Sequence, residues 1–151
     1  MIELVKPAVV HRESFLKGAD EFASEGRVDS TYATFLGYDN RSIKTQFVQF
    51  VHDLRGLGTQ ARVNAGWYLD YVYWLVDEGE YIGQASVRPE LNTPYLLTYG
   101  GHIGYSIRPS KRRRGYGKHI LALALDRAPS IDLYRVLVTC DADNIGSRKI
   151  I

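Results

Sequence analysis

Residues 108–118 read Arg108-Pro109-Ser110-Lys111-Arg112-Arg113-Arg114-Gly115-Tyr116-Gly117-Lys118, and the residue types on either side of this turn decide the fold. Before it, Gly101-His102-Ile103-Gly104-Tyr105-Ser106-Ile107-Arg108 alternates like a strand, and Pro109 ends it. After it, Lys118 to Ala128 carries Ile120, Leu121, Leu123, Ala124 and Leu125 among good helix formers until Pro129. Leu133 to Cys140, with Val136, Leu137 and Val138, then reads as a buried strand. Strand, turn, helix and strand in that order join parallel strands by a right-handed crossover.

Working outward, Ile2 to Val5 is a short strand ended by Pro7, and Ala8 to Ala23 spaces Val9, Phe15, Leu16, Ala19 and Phe22 as a helix that Gly26 stops. Residues 27–40 lack a sustained period and read as a surface loop. From Arg41, the residues Ile43, Phe47, Phe50, Val51 and Leu54 mark a second amphipathic helix closing at Gly56 and Gly58. Trp67 to Val76 and Tyr81 to Val87 flank the turn Asp77-Glu78-Gly79-Glu80 as an antiparallel hairpin, so the expected sheet is mixed.

The chain has 151 residues, 45% apolar and 24% charged, which fits one soluble domain and excludes collagen-like, coiled-coil and low-complexity classes. Apolar runs such as Ile120 to Leu125 are too short to span a membrane, and the N-terminus builds no signal peptide, which predicts a cytoplasmic protein without membrane partners. One cysteine, Cys140, and four scattered histidines show neither disulfide nor metal spacing; Cys140 reads as a small buried hydrophobe. Residues 1–107 carry nine Lys/Arg against thirteen Asp/Glu, whereas residues 108–118 carry six cations and no acid. Positive charge confined to one turn points to a local anion site and argues against a nucleic-acid-binding face.

A helix start with free N–H groups attracts anions, and Gly115 and Gly117 let the backbone approach a phosphate closely. Gly117 is followed by Lys118-His119-Ile120, which fits neither a P-loop nor a dinucleotide fingerprint. The stretch resembles the Gln/Arg-x-x-Gly-x-Gly/Ala signature of the GNAT superfamily of N-acetyltransferases, matched by Arg112, Gly115 and Gly117. Its context extends the resemblance over Gly100 to Ile151: the strand Gly101 to Pro109, the apolar helix, the strand at Val136 to Val138, and Asn144-x-x-Ser147 opening a further helix. Leu91-Asn92 and Gly100 to Tyr105 are similar to a subgroup of predicted bacterial acetyltransferases.

The resemblance implies an α/β layered fold with a mixed, mostly antiparallel sheet and a central pair of splayed parallel strands, between which acetyl-coenzyme A lies. It places the pyrophosphate on Arg112, Arg113, Arg114, Gly115, Tyr116, Gly117 and Lys118, the pantetheine along Tyr105, Ser106 and Ile107, and Asn144 and Ser147 near the cofactor's thioester end. It implies no metal, an amine acceptor on a small molecule or a protein, and direct attack on the thioester. His102 stands where many relatives carry a Glu that acts as general base through water, and reads either as that base or as a strand histidine bonded to backbone. Tyr105 reads either as catalytic or as packing beside the cofactor. The usual thiolate-protonating Tyr position is Ile151, and two strands that usually complete the sheet are absent, so the expected edge is apolar. That predicts a chain incomplete at its C-terminus, or an edge covered by a second copy in a homodimer. The contrasting functional readings are a noncatalytic acyl-coenzyme A sensor and an RNA-binding module using the basic turn.

Overall fold

Aromatic and β-branched residues dominate Tyr71–Asp77 (β2) and Glu80–Val87 (β3), and the turn between them is short enough to force antiparallel pairing. In the computed structural model, which describes residues 1–151 apart from the side chains of residues 28 and 29, this hairpin forms the middle of a four-stranded sheet. Ile2–Val5 (β1) pairs with β2, placing Ile2 opposite Asp77, and Ile103–Ile107 (β4) pairs with β3, placing Gly83 opposite Ile107. The order is β1-β2-β3-β4, with each neighbouring pair antiparallel.

Two apolar layers cover the sheet. On one face, Arg12–Ser24 (α1) and Phe47–Gly56 (α3) bury Phe15, Phe50 and Leu54 against Trp74 and Tyr81, with the Phe15 ring stacked on Trp74 at 4.6 Å. On the other, Tyr116–Arg127 (α5) buries Ile120, Leu121 and Ala124 against Leu75, Ile82, Ala85 and Ile103. Truncating a fully enclosed aromatic such as Phe15 leaves a cavity, at a typical cost of about 3–5 kcal/mol. Among the described residues, no helix is long and apolar enough to cross a membrane.

Three sequence expectations change. Residues 27–40 are more than a surface loop, because Thr31, Ala33 and Tyr38 are buried under α1 and α3. The helix expected from Arg41 breaks at Gln46 (φ −120°, ψ 34°), giving Ser42–Thr45 (α2) and then α3, so that Phe47 turns into the core. A short helix, Gln60–Asn64 (α4), precedes β2, which starts at Tyr71 and leaves Trp67 outside the strand.

The largest correction is at Leu133 to Cys140, which forms no strand. It touches β4 through one parallel bridge, Ile103 to Val138, so the expected mixed sheet has its parallel component as a single rung. Side chains take the place of the ladder there: the Leu137 N–H donates to His102 Nδ1 at 2.8 Å, while the Leu137 carbonyl accepts the His102 N–H at 2.8 Å. Leu133 still anchors the segment in the core beneath α5.

Ion pairs tie the end of β4 to the first helix. The buried Arg108 guanidinium donates to Glu21 at 2.7 Å and Glu80 at 3.0 Å, and Glu80 also accepts from Lys111 at 2.7 Å. Partial burial works against the charge on Glu21, but the Ser110 N–H and Arg108 outweigh it and hold the carboxyl below its ordinary value of 4.5. Lys111, against partial burial and helped by Arg108, does the same for Glu80. Groups with depressed folded-state pKa values stabilise the fold above their unfolded value and lose that contribution as pH falls through the folded one. Unfolding free energy is therefore expected to fall as pH drops below 4.5. Arg108→Met should cost about 1–3 kcal/mol at neutral pH, below the fully buried range because both carboxylates reach water, and should flatten that acid slope in denaturant titrations at several pH values.

Candidate active site

Beyond the rung at Ile103 and Val138 the two chains separate, and among the described backbone bonds none links residues 104–107 to residues 139–143. Gly101 sets the approach that precedes the split: its φ is +64°, and a Cβ there would stand 2.7 Å from the Leu137 carbonyl oxygen. The parting leaves a groove made of two cavities. The larger, about 520 Å³, is walled by Ser86, Arg88, Tyr99, Thr139 and Asp141, and the smaller, about 440 Å³, by Lys111, Arg113, Gly115, Gly117 and Lys118. Arg27, Tyr105, Ser106, Asn144 and Ser147 line both, so the two are continuous.

At the foot of the groove, Gly115 (φ +85°) turns the chain into α5. Among the described residues, no acceptor takes the backbone N–H groups of residues 113–118: the Arg112 N–H goes to Pro109, and the next donation in the turn is His119 to Gly115. Six consecutive open donors at a helix start form a concave anion cradle, strengthened by the helix dipole. Charge contributes less than the sequence suggests. Arg108 and Lys111 are held by Glu21 and Glu80, and Arg112 forks onto Glu25 at 2.7 and 2.9 Å while its Nε donates to the Ile107 carbonyl at 3.1 Å. Arg113 and Lys118 are exposed at the cradle's edge.

The other end of the groove is polar and buried. The Arg88 side chain donates to the carbonyls of Gly100 (2.7 Å) and Gly101 (3.0 Å) and to Ser86 Oγ (2.7 Å), while Ser86 donates to the buried Asp70. Tyr32 donates to Asp70 at 3.1 Å. Burial raises the Tyr32 phenol well above its ordinary value.

Of the residues expected from the sequence, Tyr105, Ser106, Ile107, Arg112, Arg113, Gly115, Gly117, Lys118, Asn144 and Ser147 line the groove. Asn144 caps Ile145–Ile150 (α6), its Oδ1 accepting the Ser147 N–H at 3.1 Å, and Ile150 of that helix fills the place where a Gly117 Cβ would lie, 2.5 Å away. Tyr105 presents a buried hydroxyl with no partner among the described residues. Arg114 and Tyr116 are not among the lining residues; the Tyr116 hydroxyl donates to Asp77 at 2.6 Å and secures α5 to the hairpin. Cys140 is exposed and lines the larger cavity, the reverse of the buried hydrophobe expected. Arg27, Tyr32, Ser86 and Arg88 escaped the sequence reading; polar Gln84 and Ser86 alternating inside the otherwise apolar β3 were the available signal.

His102 lies outside the lining of both cavities. A backbone N–H always donates, so the bond from Leu137 fixes Nδ1 as the unprotonated nitrogen, and the neutral ring carries its hydrogen on Nε2. Its basic lone pair is engaged by the Leu137 N–H, the backbone-bonded arrangement of the two read from the sequence. Partial burial, and then the Arg88 cation, lower its pKa below the ordinary imidazole value.

Diverging edges thus open a groove with a row of open backbone donors at one end and a polar cavity at the other. The chain belongs to the GNAT acetyltransferases: the family model described as acetyltransferase (GNAT) domain matches residues 23–151. Members of this family typically use acetyl-coenzyme A, and the domain supports acetyl transfer. No curated protein matches the chain. Among the described residues, no group of three or more His, Cys, Asp or Glu is gathered to hold a metal ion.

Removing the imidazole tests the clip. His102→Ala is expected to lower the melting temperature by several degrees and to speed amide exchange at Leu137, whereas His102→Asn, with a side-chain oxygen near the Nδ1 position, restores protection. Unchanged exchange in His102→Ala would show that the ring does not hold the segment.

Proposed function

We propose that the protein transfers the acetyl group of acetyl-coenzyme A to a primary amine by direct attack of the amine nitrogen on the thioester. The observation that carries this reading is the row of six N–H groups at residues 113–118 that no acceptor takes among the described residues, at the foot of a groove that ends in a polar cavity. Such a cradle fits a pyrophosphate, with Arg113 and Lys118 adding screened attraction. Arg112 serves differently: its fork to Glu25 and bond to Ile107 fix the turn against α1 and β4.

Along Tyr105 and Ser106, β4 has no neighbouring strand on its open side, so peptide groups there are available to the amides of a pantetheine arm. The unpartnered Tyr105 hydroxyl offers one more hydrogen bond near the junction of the cavities. Acetyl-coenzyme A supplies the activated acetyl group; the chain supplies orientation, exclusion of water, and a path for the amine proton. The acceptor enters through the larger cavity, between the tyrosines at 95 and 99 and Asp141.

Coenzyme A at 100 times its dissociation constant adds about 2.7 kcal/mol to the folded state, a melting shift of several degrees. Gly115→Val should remove that shift, because a β-branched residue resists positive φ and would reshape the cradle, while Arg114→Ala should leave it almost unchanged. Equal losses would make charge, not loop geometry, the basis of the site. Release of free thiol from acetyl-coenzyme A across a panel of amines tests the reaction itself. A melting shift without turnover for any amine would identify a sensor, and steeply salt-dependent RNA binding without a shift would identify a nucleic-acid module.

A further inference from the structure

Behind the wall of the larger cavity lies a buried carboxylate that no apolar layer of the fold needs. Asp70, which precedes β2, is 2% exposed; its Oδ1 accepts the Ser86 hydroxyl, and its Oδ2 accepts the Tyr32 phenol at 3.1 Å and lies 3.8 Å from the Arg88 guanidinium. A charge at that depth is expensive to desolvate, so its neighbours must compensate it. Two of its hydrogen-bond partners, Ser86 and Tyr32, line the cavity that Asp70 itself does not line, and Ser86 holds the closer bond to Arg88, 2.7 Å against 3.4 Å for Tyr32. A hydroxyl has one hydrogen and two lone pairs. In Ser86 the hydrogen goes to Asp70 and one lone pair receives Arg88 Nη1 at 2.7 Å, leaving one acceptor position at the cavity wall.

We propose that Asp70, acting through the Ser86 hydroxyl, takes the proton that the acceptor amine loses during acetyl transfer. This rests on the acetyltransferase reading above. As the amine nitrogen bonds to the acetyl carbonyl carbon and the carbon–sulfur bond breaks, one amine proton moves to Ser86 Oγ while the Ser86 hydroxyl proton moves to Asp70 Oδ1. The thiolate leaves with the electron pair of the broken bond and is protonated by solvent, and Asp70 returns its proton to solvent by the same hydroxyl. Charged and titratable groups around Asp70 are Arg88, Arg62, Tyr32 and Tyr68. Burial raises the Asp70 pKa above its ordinary value against the pull of Arg88, which makes it a better proton acceptor than a surface carboxylate. His102, with its lone pair engaged by Leu137, does not compete for the role.

Ser86→Ala removes the link while leaving the Asp70–Arg88 pair in place. It is expected to lower kcat about 100-fold or more with the coenzyme A melting shift unchanged, and Ser86→Thr, which keeps a hydroxyl, should restore most of the rate. Asp70→Asn should give a similar loss and abolish the acidic limb of the kcat/KM profile. Turnover by Ser86→Ala within about twofold of wild type would overturn the relay, as would a loss that Ser86→Thr does not rescue or failure of both Ser86→Ala and Asp70→Asn to fold. A wild-type protein that binds coenzyme A but acetylates no amine in the panel would instead overturn the acetyltransferase reading, and the relay with it.

Discussion

Where two parallel segments meet at a sheet edge, every peptide group must find a partner or face water or a ligand. Between Gly101 and Ile103 that requirement is met in an unusual way. The Leu137 carbonyl accepts a backbone N–H, the Leu137 N–H donates to an imidazole, and Ile103 and Val138 supply one bridge. A side chain thus stands where a second rung would propagate the ladder. Arg88 reinforces the same point from the other side by binding the Gly100 and Gly101 carbonyls. With the segments pinned there and nowhere beyond, β4 opens onto a groove, and the helix start and the polar cavity occupy its two ends.

Electrostatics follow from how that frame is braced. The six cations of residues 108–118 form two groups with separate duties. Arg108, Lys111 and Arg112 face Glu21, Glu25 and Glu80, carboxylates contributed by α1, its C-terminal cap and the hairpin, and act as struts. Arg113, Arg114 and Lys118 are exposed. Attraction for an anion at this turn therefore depends on backbone geometry first and on screened side-chain charge second.

The strands at β2, β3 and β4, helix α5 and the capped start of α6 were legible because each rests on local signals: alternation, a proline stop, a glycine pair, and Asn144 three residues before Ser147. Leu133 to Cys140 misled because its apolar residues satisfy a strand pattern, while its hydrogen bonding is decided by His102, some thirty-five residues away. Arg112 likewise matches a ligand-binding signature, yet Glu25, eighty-seven residues distant, takes its guanidinium. The Asp70, Ser86 and Arg88 network was invisible for the same reason: three common polar residues at separate positions acquire meaning only when β2 and β3 pair. Sequence shows where backbone turns; long-range side-chain partners show what the turn holds.

In the proposed function, a pinned and then parted strand edge presents the open amides of residues 113–118 to coenzyme A. Amide-resolved NMR of the labelled protein during a coenzyme A titration tests it most directly. The largest shifts are expected at Arg113 to Lys118 and at Tyr105 and Ser106, with Tyr71 to Asp77 nearly unmoved. Saturating shifts confined to other surfaces, with the 113–118 amides unchanged, would contradict it.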